Sequence, residues 1–237
     1  MITVETLGSS SKGNCYRLLS GGRSILLECG LPWKEIRKKL NFQTTDLDGC
    51  LVSHSHGDHA RSIDEAMKAG IDVYATDETF VGMDIPVENH RSKSINPGQH
   101  FHVTRHWAVL PFETVHDTPG SVGFVIKDAD DTLIFLTDTA YCKYMFPGWP
   151  TIIMIEANFS ESILQQNVDD GAIDPARAKR VRENHMSIER VIDFLSVNDL
   201  SRCREIRLIH LSDGNSDAEL FKRMVQECTG VPTYVEG

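Results

Sequence analysis

The sequence predicts an α/β fold in which two mixed β-sheets lie face to face, with helices on their outer faces. Three observations carry this prediction. Short β-compatible runs dominate the chain, helical patterns fall between groups of them, and no linker, repeat or low-complexity tract divides the 237 residues. A chain of this length can bury a full-size core. We therefore expect a single αββα domain over residues 1–237.

The first part of the chain predicts strands that give way to alternating strands and helices. The predicted strands are Thr3–Leu7, Cys15–Leu19, Ser24–Glu28, Gly49–Ser53 and Ile71–Ala75, with glycine-rich turns between the first three. Helical periodicity marks Trp33–Leu40 and Ile63–Ala69. The short apolar run at residues 49–53 is typical of a strand that is buried on both faces.

The second part of the chain begins with strands and ends with helices. A meander is predicted from Phe101–His106, Ala108–Thr114, Ser121–Lys127 and Thr132–Thr137, followed by the strands Thr151–Glu156 and Glu205–His210. The predicted helices are Pro175–Arg182 with Asp174 as its cap, a helix capped by Ser187, and a last helix that starts with a Ser216–Glu219 capping box and ends at Gly230.

Composition and charge exclude several classes of protein. The chain has 24 Lys and Arg residues against 34 Asp and Glu residues, a formal net charge of −10, which disfavours broad charge-driven binding to nucleic acid or anionic membranes. No apolar stretch approaches the ~18 residues of a membrane span. Met1–Leu7 lacks the pattern of a signal peptide, so we expect a cytoplasmic protein.

The most informative segment is His54-Ser-His56-Gly-Asp58-His59, directly after a predicted buried strand. Imidazoles and carboxylates are ligands for Zn, Mn and Fe ions. His54 and His56 are two residues apart and point to the same side of an extended segment. Gly57 permits a sharp turn, beyond which Asp58 and His59 can face a second ion next to the first. The segment therefore predicts a metal site.

The His-x-His-x-Asp-His pattern resembles the signature of the metallo-β-lactamase superfamily, an αββα sandwich with a two-metal site. Three further residues follow in the order that this family uses: His116, Asp138 and His210, the last two at the ends of predicted strands. The resemblance spans Leu7 to Ser212. It implies the following ligands: His54, His56 and His116 for one ion, Asp58, His59 and His210 for the other, and Asp138 as a bridge.

The resemblance also implies the chemistry of the site. Two divalent ions lower the pKa of a bridging water from 15.7 towards ~7, which yields a hydroxide nucleophile, and they neutralise developing oxyanion charge. Asp58 and Asp138 are then catalytic residues as well as ligands. The ligand set accepts Zn²⁺, our first expectation, as well as Mn²⁺ or Fe. Glu28 stands where the family normally has Asp, and we expect it to support the metal loop from behind the ligands.

Three segments indicate which branch of the superfamily the chain resembles, because they are similar to segments of the YycJ/WalJ-like exonucleases. They are the loop Gly8–Cys15, the stretch Asn184–Ser187 and the triplet His210–Ser212. This similarity implies a metal-dependent phosphodiesterase with 5′→3′ exonuclease activity on DNA. The expected substrate contacts are Ser10, Lys12, Asn14, Arg180, His185 and Ser187. In this set His185 contacts a phosphate or donates a proton to the leaving group.

Other interpretations stay open at the level of sequence. The basic run Arg177–Arg182 suits a phosphate backbone only if it lies near the metals, and otherwise a thioesterase or glyoxalase II-like hydrolase is favoured. The loop Gly8–Cys15 also suits an ordinary hairpin turn, and His185 also suits a helix cap. A small phosphodiester is an alternative substrate to nucleic acid, and a non-catalytic binding module is a third hypothesis. Both a monomer and a homodimer are compatible with the sequence.

Overall fold

A computed structural model describes residues 1–146 and 150–236 of the chain. Its strands are β1 (Thr3–Gly8), β2 (Cys15–Ser20), β3 (Arg23–Leu27), β4 (Leu47–Leu51), β5 (Val73–Ala75), β6 (Ser92–Ser94), β7 (Phe101–Val103), β8 (Trp107–Glu113), β9 (Val122–Lys127), β10 (Thr132–Leu136), β11 (Ile152–Glu156), β12 (Glu205–Ile209) and β13 (Thr233–Val235). Its helices are α1 (Trp33–Lys39), α2 (Gly57–Ala60), α3 (Ile63–Lys68), α4 (Asp77–Gly82), α5 (Glu161–Asp169), α6 (Pro175–Asn184), α7 (Ile188–Val197) and α8 (Ala218–Thr229). These strands form two mixed β-sheets, which confirms the predicted α/β class.

The chain divides into two compact units. The first unit comprises Met1–Glu113 and Thr118–Asp131, and the second comprises Thr114–Asp117 and the described part of Thr132–Gly237. The expectation of one domain over residues 1–237 stays a prediction. Within the described ranges, no helix is both long and apolar enough to cross a membrane.

The first unit contains a six-stranded sheet in the order β1 to β6. Strands β1, β2 and β3 are antiparallel, and β3 to β6 run parallel to one another. Strands β7, β8 and β9 form an antiparallel set in the same unit. A Cβ on Gly49 of β4 would meet the Tyr74 ring at 2.9 Å and the Val103 side chain at 3.0 Å, so only glycine lets β7 pack this closely.

The second unit is built on four parallel strands, β10 to β13. Strand β11 is buried along its whole length, which explains its unbroken apolar sequence Ile152–Ile155. Leu136 of β10 pairs with Ile155, and Glu156 at the end of β11 pairs with Ile209 of β12. Because the three strands are parallel and in register, the residues that follow them emerge at one edge of the sheet.

The structure corrects the predicted start of the last helix. Helix α8 begins at Ala218 and is capped by Asp217, whose carboxylate accepts the Leu220 N–H at 2.9 Å, and the Ser216 hydroxyl donates to the Ser212 carbonyl. The predicted Ser216–Glu219 capping box is therefore wrong, since an aspartate one residue later caps the helix instead.

The structure confirms two predicted helix caps and contains five elements that the sequence does not predict. The caps predicted at Asp174 and Ser187 are confirmed: the Asp174 carboxylate accepts the Ala176 N–H and the Ser187 hydroxyl accepts the Arg190 N–H. Elements α2, α4, α5, β6 and β13 are not predicted from the sequence. Four of these five have six residues or fewer, too short for a clear periodicity.

Candidate metal centre

The metal loop of the first unit, residues 54–59, follows β4 after Val52 and Ser53. His54 and His59 are 1% and 0% exposed, and His54 has its ring centroid 4.8 Å from that of His56 and 4.3 Å from that of His59. The extended backbone at His56 leads into the short helix α2, which brings His59 next to His54. The sequence pattern therefore brings three imidazoles together inside one unit.

A buried carboxylate lies behind this loop. Glu28 is 0% exposed, and its two carboxylate oxygens accept the Ser53 N–H at 3.2 and 3.3 Å. The Glu28 Oε2 atom also lies 3.7 Å from Nδ1 of His59. These contacts are those that a support for the loop requires, although the longer side chain of Glu replaces the expected Asp.

The N-terminal loop is hydrogen-bonded to α2 through Asn14. The Asn14 backbone N–H donates to the Asp58 carbonyl at 2.7 Å, and the Asn14 side-chain amide lies 3.2 Å from Nε2 of His59. A Cβ on Gly30 would lie 1.7 Å from the same Asp58 carbonyl oxygen, so no other residue fits there. Among the other predicted contacts in this loop, the Lys12 backbone N–H donates to the Ser10 hydroxyl at 3.2 Å on the exposed surface.

A second cluster lies in the second unit, at the edge where β10, β11 and β12 end. One ligand atom from each of Asp138, Glu156, His185 and His210 lies within 4.8 Å of the others. Asp138 and His210 have left-handed backbone angles, φ 41° and 54°, which non-glycine residues adopt rarely. Such backbone strain is common where a side chain must be aimed at a functional site.

Glu156 is the centre of this second cluster. Its Oε1 atom accepts hydrogen bonds from Nδ1 of His185 at 2.7 Å and from Nδ1 of His210 at 2.9 Å. Its Oε2 atom accepts the N–H groups of Thr139 at 3.3 Å and Met186 at 3.2 Å. An ionised carboxylate only accepts, so both imidazoles donate from Nδ1 and keep Nε2 for a ligand or a proton.

The charges and hydrogen bonds in this cluster favour the ionised forms of Glu156 and His185. Burial raises the pKa of Glu156, but the charge of His185 and the hydrogen bonds from both imidazoles outweigh it, so the pKa is lowered overall. Burial lowers the pKa of His185, but the charge and hydrogen bond of Glu156 outweigh it, so the pKa is raised overall. The Glu156–His185 pair is therefore stabilised as a carboxylate and an imidazolium.

His116 completes the predicted ligands of the second unit. Its side chain is 1% exposed, and its Nε2 atom lies 3.9 Å from the Asp138 Oδ2 atom. The Asn184 carbonyl lies 3.2 Å from Nδ1 of His116, and the Asn184 side chain accepts the Asp117 N–H at 2.9 Å. The segment that carries His116 is thus held against the end of α6.

The predicted basic run does not act as one surface. Arg180 lies 71% exposed and donates to the carboxylate of Asp117 at 3.1 Å, next to His116. Arg182 instead binds Glu161 at 2.8 Å. Ser187, another predicted substrate contact, is buried as the cap of α7. Within the basic run Arg177–Arg182, Arg180 therefore lies next to the segment that carries the predicted ligand His116.

The donors in the two units fit divalent metal ions. Buried imidazole and carboxylate groups are the donors that Zn²⁺, Mn²⁺ and Fe ions take, and a core otherwise excludes them. Glu156 is the residue that sequence analysis missed, since the sequence places it only at the end of the predicted strand Thr151–Glu156. The available signal was a carboxylate at the end of the fully apolar segment Ile152–Ile155.

Comparisons with known proteins decide the family. The model of the beta-lactamase superfamily domain matches residues 23–210. The chain belongs to this superfamily. It is 27% identical over 231 residues to the exodeoxyribonuclease WalJ of Streptococcus pneumoniae, covering 90% of this chain and 83% of that protein. It is 23% identical to the exodeoxyribonuclease YycJ of Bacillus anthracis, covering 94% and 87%. The resemblance to this branch is confirmed.

Solved structures confirm the fold. The metallo-β-lactamase fold protein YhfI from Bacillus subtilis superposes with a TM-score of 0.75 at 17% identity, covering 99% of this chain and 96% of that one. The Zn²⁺-bound PqqB from Methylobacterium extorquens superposes with a TM-score of 0.68 at 14% identity, covering 99% and 97%. At the level of family and fold, the expectation of a metal-dependent hydrolase is therefore confirmed.

Proposed function

We propose that the protein is a dinuclear metal-dependent phosphodiesterase that removes nucleotides from the 5′ end of DNA. The observation that carries the proposal is the buried Asp138–Glu156–His185–His210 cluster, in a chain whose relatives are named exodeoxyribonucleases. We further propose the ligand set expected from the sequence: His54, His56 and His116 for one ion, Asp58, His59 and His210 for the other, and Asp138 between them. Zn²⁺ is the first candidate for both ions, with Mn²⁺ or Fe as alternatives.

The protein's own side chains have distinct tasks in this proposal. Bound ions would supply Lewis-acid charge and an activated water. Glu156 fixes the orientation of His185 and His210 through their Nδ1 atoms. The Nε2 side of His185 then faces a substrate as a phosphate contact or as the proton donor to the leaving oxygen. Arg180 contributes positive charge beside Asp117, where a strand backbone can follow.

The contact between Arg180 and Asp117 favours phosphodiester chemistry over the thioesterase alternative. The sequence left a condition open: a basic run remote from the ligands would favour a thioester substrate. Arg180 pairs with the residue next to His116, a proposed ligand. The net charge of −10 still disfavours broad nucleic-acid affinity, so strand ends are better substrates than long duplexes. The cytoplasmic location, the single domain and the choice between monomer and homodimer stay predictions.

A hydrolysis panel tests this function. The protein is loaded with Zn²⁺ or Mn²⁺ and given a bis-aryl phosphodiester, single- and double-stranded DNA labelled at the 5′ or the 3′ end, RNA, and a glutathione thioester. We expect turnover of the bis-aryl phosphodiester and early release of the 5′ label from DNA. Turnover of the thioester alone would overturn the proposal. Early release of the 3′ label would support phosphodiesterase activity but contradict degradation from the 5′ end.

A further inference from the structure

A cleft of about 500 Å³ lies in the second unit, outside the metal cluster. One wall is the segment 141–145 and the other is the outer face of α7. The first wall begins three residues after Asp138, and α7 begins three residues after His185. Both walls are therefore direct continuations of segments that carry residues of the metal cluster. The volume is in the range of small-molecule sites.

The walls of the cleft are fastened to each other by polar contacts. The Arg190 guanidinium on α7 donates to the carbonyl of Ala140 at 2.6 Å. At the other end, the Phe146 N–H donates to the side chain of Asn198 at 3.0 Å. The two tethers flank the segment 141–145 and hold it against α7. The cleft is therefore preformed, which lowers the entropic cost of binding.

The lining of the cleft combines aromatic, apolar and cationic side chains. Tyr141 and Met145 are 50% and 70% exposed, unusually high for large apolar residues. The ammonium of Lys143 lies 5.3 Å from the ring centroid of Tyr144. With Arg190 and one carboxylate, Asp193, the lining has a net positive charge in a chain whose net charge is −10. This chemistry suits an anionic ligand that also offers a flat ring.

We propose that this cleft binds an unpaired nucleotide of a single-stranded substrate, with its base stacked on Tyr141 and its phosphates near Lys143. The inference rests on the proposed function and specifies its substrate as a single-stranded end. Successive bases of a single strand stack on aromatic side chains while cations follow the backbone. A paired base keeps its faces covered by its neighbours, so a duplex cannot use the cleft without unstacking.

The test compares Tyr141→Ala with Tyr234→Ala. Tyr234 is a matched control, because it is 48% exposed on β13 of the same unit but does not line the cleft, and its ring lies 5.4 Å from the Arg207 guanidinium. Binding of a cleavage-resistant, phosphorothioate-linked dT12 strand to the metal-loaded protein is measured by fluorescence anisotropy. Because one base–aromatic stack is lost, we expect Kd to rise about tenfold for Tyr141→Ala and to stay within about twofold for Tyr234→Ala.

Two further measurements separate stacking from folding and from a protein partner. Tyr141→Trp keeps an aromatic face and should restore the affinity, and replacing the bases of dT12 by abasic sites should weaken binding by the wild type but not by Tyr141→Ala. Equal affinities of Tyr141→Ala and the wild type for dT12 would overturn the proposal. So would a dimer that Tyr141→Ala dissociates without change in dT12 affinity, since the cleft then binds a second copy.

The bis-aryl phosphodiester distinguishes failure of the cleft from failure of the proposed function. Its turnover by the wild-type protein reports on the metal centre, whereas the anisotropy of dT12 reports on the cleft. Turnover by the wild type together with equal dT12 affinities of Tyr141→Ala and the wild type would reject the cleft and leave the proposed function intact. If the wild type does not hydrolyse it, the phosphodiesterase proposal fails, whereas the anisotropy still decides whether the cleft binds a single strand.

Discussion

The metal loop of the first unit and the metal cluster of the second unit group similar side chains in different ways. The loop takes its donors from six consecutive residues, 54–59, and folds them back by the short helix α2. The cluster takes Asp138, Glu156, His185 and His210 from four separate segments, which parallel strands and α6 bring to one edge. The first grouping is local and the second depends on the fold of a whole unit.

Each region also has one fully buried glutamate, and the two differ in what surrounds them. Both oxygens of Glu28 accept the same donor, the Ser53 N–H. The oxygens of Glu156 accept four different donors, two imidazole and two backbone N–H groups. A carboxylate that satisfies four donors has no neutral substitute, whereas one that satisfies a single donor can be replaced by an amide.

The largest effects should come from removing one proposed ligand in each region, His56→Ala and Asp138→Ala. Loss of an ion removes several kcal/mol of transition-state stabilisation, so kcat/KM for the bis-aryl phosphodiester should fall by about 10³-fold or more in both variants. Metal content measured by inductively coupled plasma mass spectrometry should fall below two ions per chain. If both regions serve one centre, the two losses should be similar.

His102→Ala provides the control for the ligand variants, because His102 is an exposed histidine on β7 outside both regions. Its activity and metal content should match the wild type. Full activity in either His56→Ala or Asp138→Ala would show that the region carrying that residue is not part of the proposed centre. The region whose variant loses activity would then be catalytic, and the other region would have a structural role.

Glu156→Gln should cause the next largest effect. The new amide nitrogen must face either the two imidazole donors or the two backbone donors, so at least two hydrogen bonds are lost in either orientation. We expect kcat/KM to fall about 10- to 100-fold, as for other partners that orient metal ligands, and the free energy of unfolding to fall by ~1–3 kcal/mol. Steady-state kinetics and denaturant unfolding measure the two effects.

A split between these two measurements distinguishes the roles of Glu156. If the free energy of unfolding falls but kcat/KM stays at the wild-type value, Glu156 stabilises the fold without orienting His185 or His210. The variant Glu156→Asp keeps the charge, and we expect it to retain more activity than Glu156→Gln. The opposite order would reject the need for a carboxylate.

The contrast between the regions also explains what the sequence could predict. The metal loop is visible because its donors are contiguous and its spacing matches a known family signature. Asp138 and His210 are found because they stand in the order that the family uses. Glu156 also ends a predicted strand, but it has no place in that order, and its partners are 29 and 54 residues away in the sequence. The cap at Asp217 is missed because Ser216 offers an equally good local pattern, and the choice depends on the contact of Ser216 with Ser212.

Glu28→Gln should have a smaller effect than Glu156→Gln. The Gln side chain keeps one oxygen that can accept the Ser53 N–H, so the loop loses little of its support. We expect kcat/KM for the bis-aryl phosphodiester to fall by roughly tenfold or less. A loss equal to that of Glu156→Gln would show that the charge of Glu28, which lies 3.7 Å from His59, matters more than the hydrogen bond.

The smallest effect on chemistry should come from Arg180→Ala, at the exposed end of the second region. Its ion pair with Asp117 is largely solvated, and such pairs contribute ~0–1 kcal/mol to stability, so the free energy of unfolding should barely change. Turnover of the bis-aryl phosphodiester should stay within about twofold. If Arg180 contacts a strand phosphate, log Kd for dT12 should depend less steeply on log salt, with the slope reduced by about 1. Lys179→Ala is the control, because Lys179 is 75% exposed on the same helix and pairs with Glu183 instead. Equal slopes for the two variants would show that the strand backbone does not contact Arg180. In that case only the buried residues of the second region would take part in the proposed function.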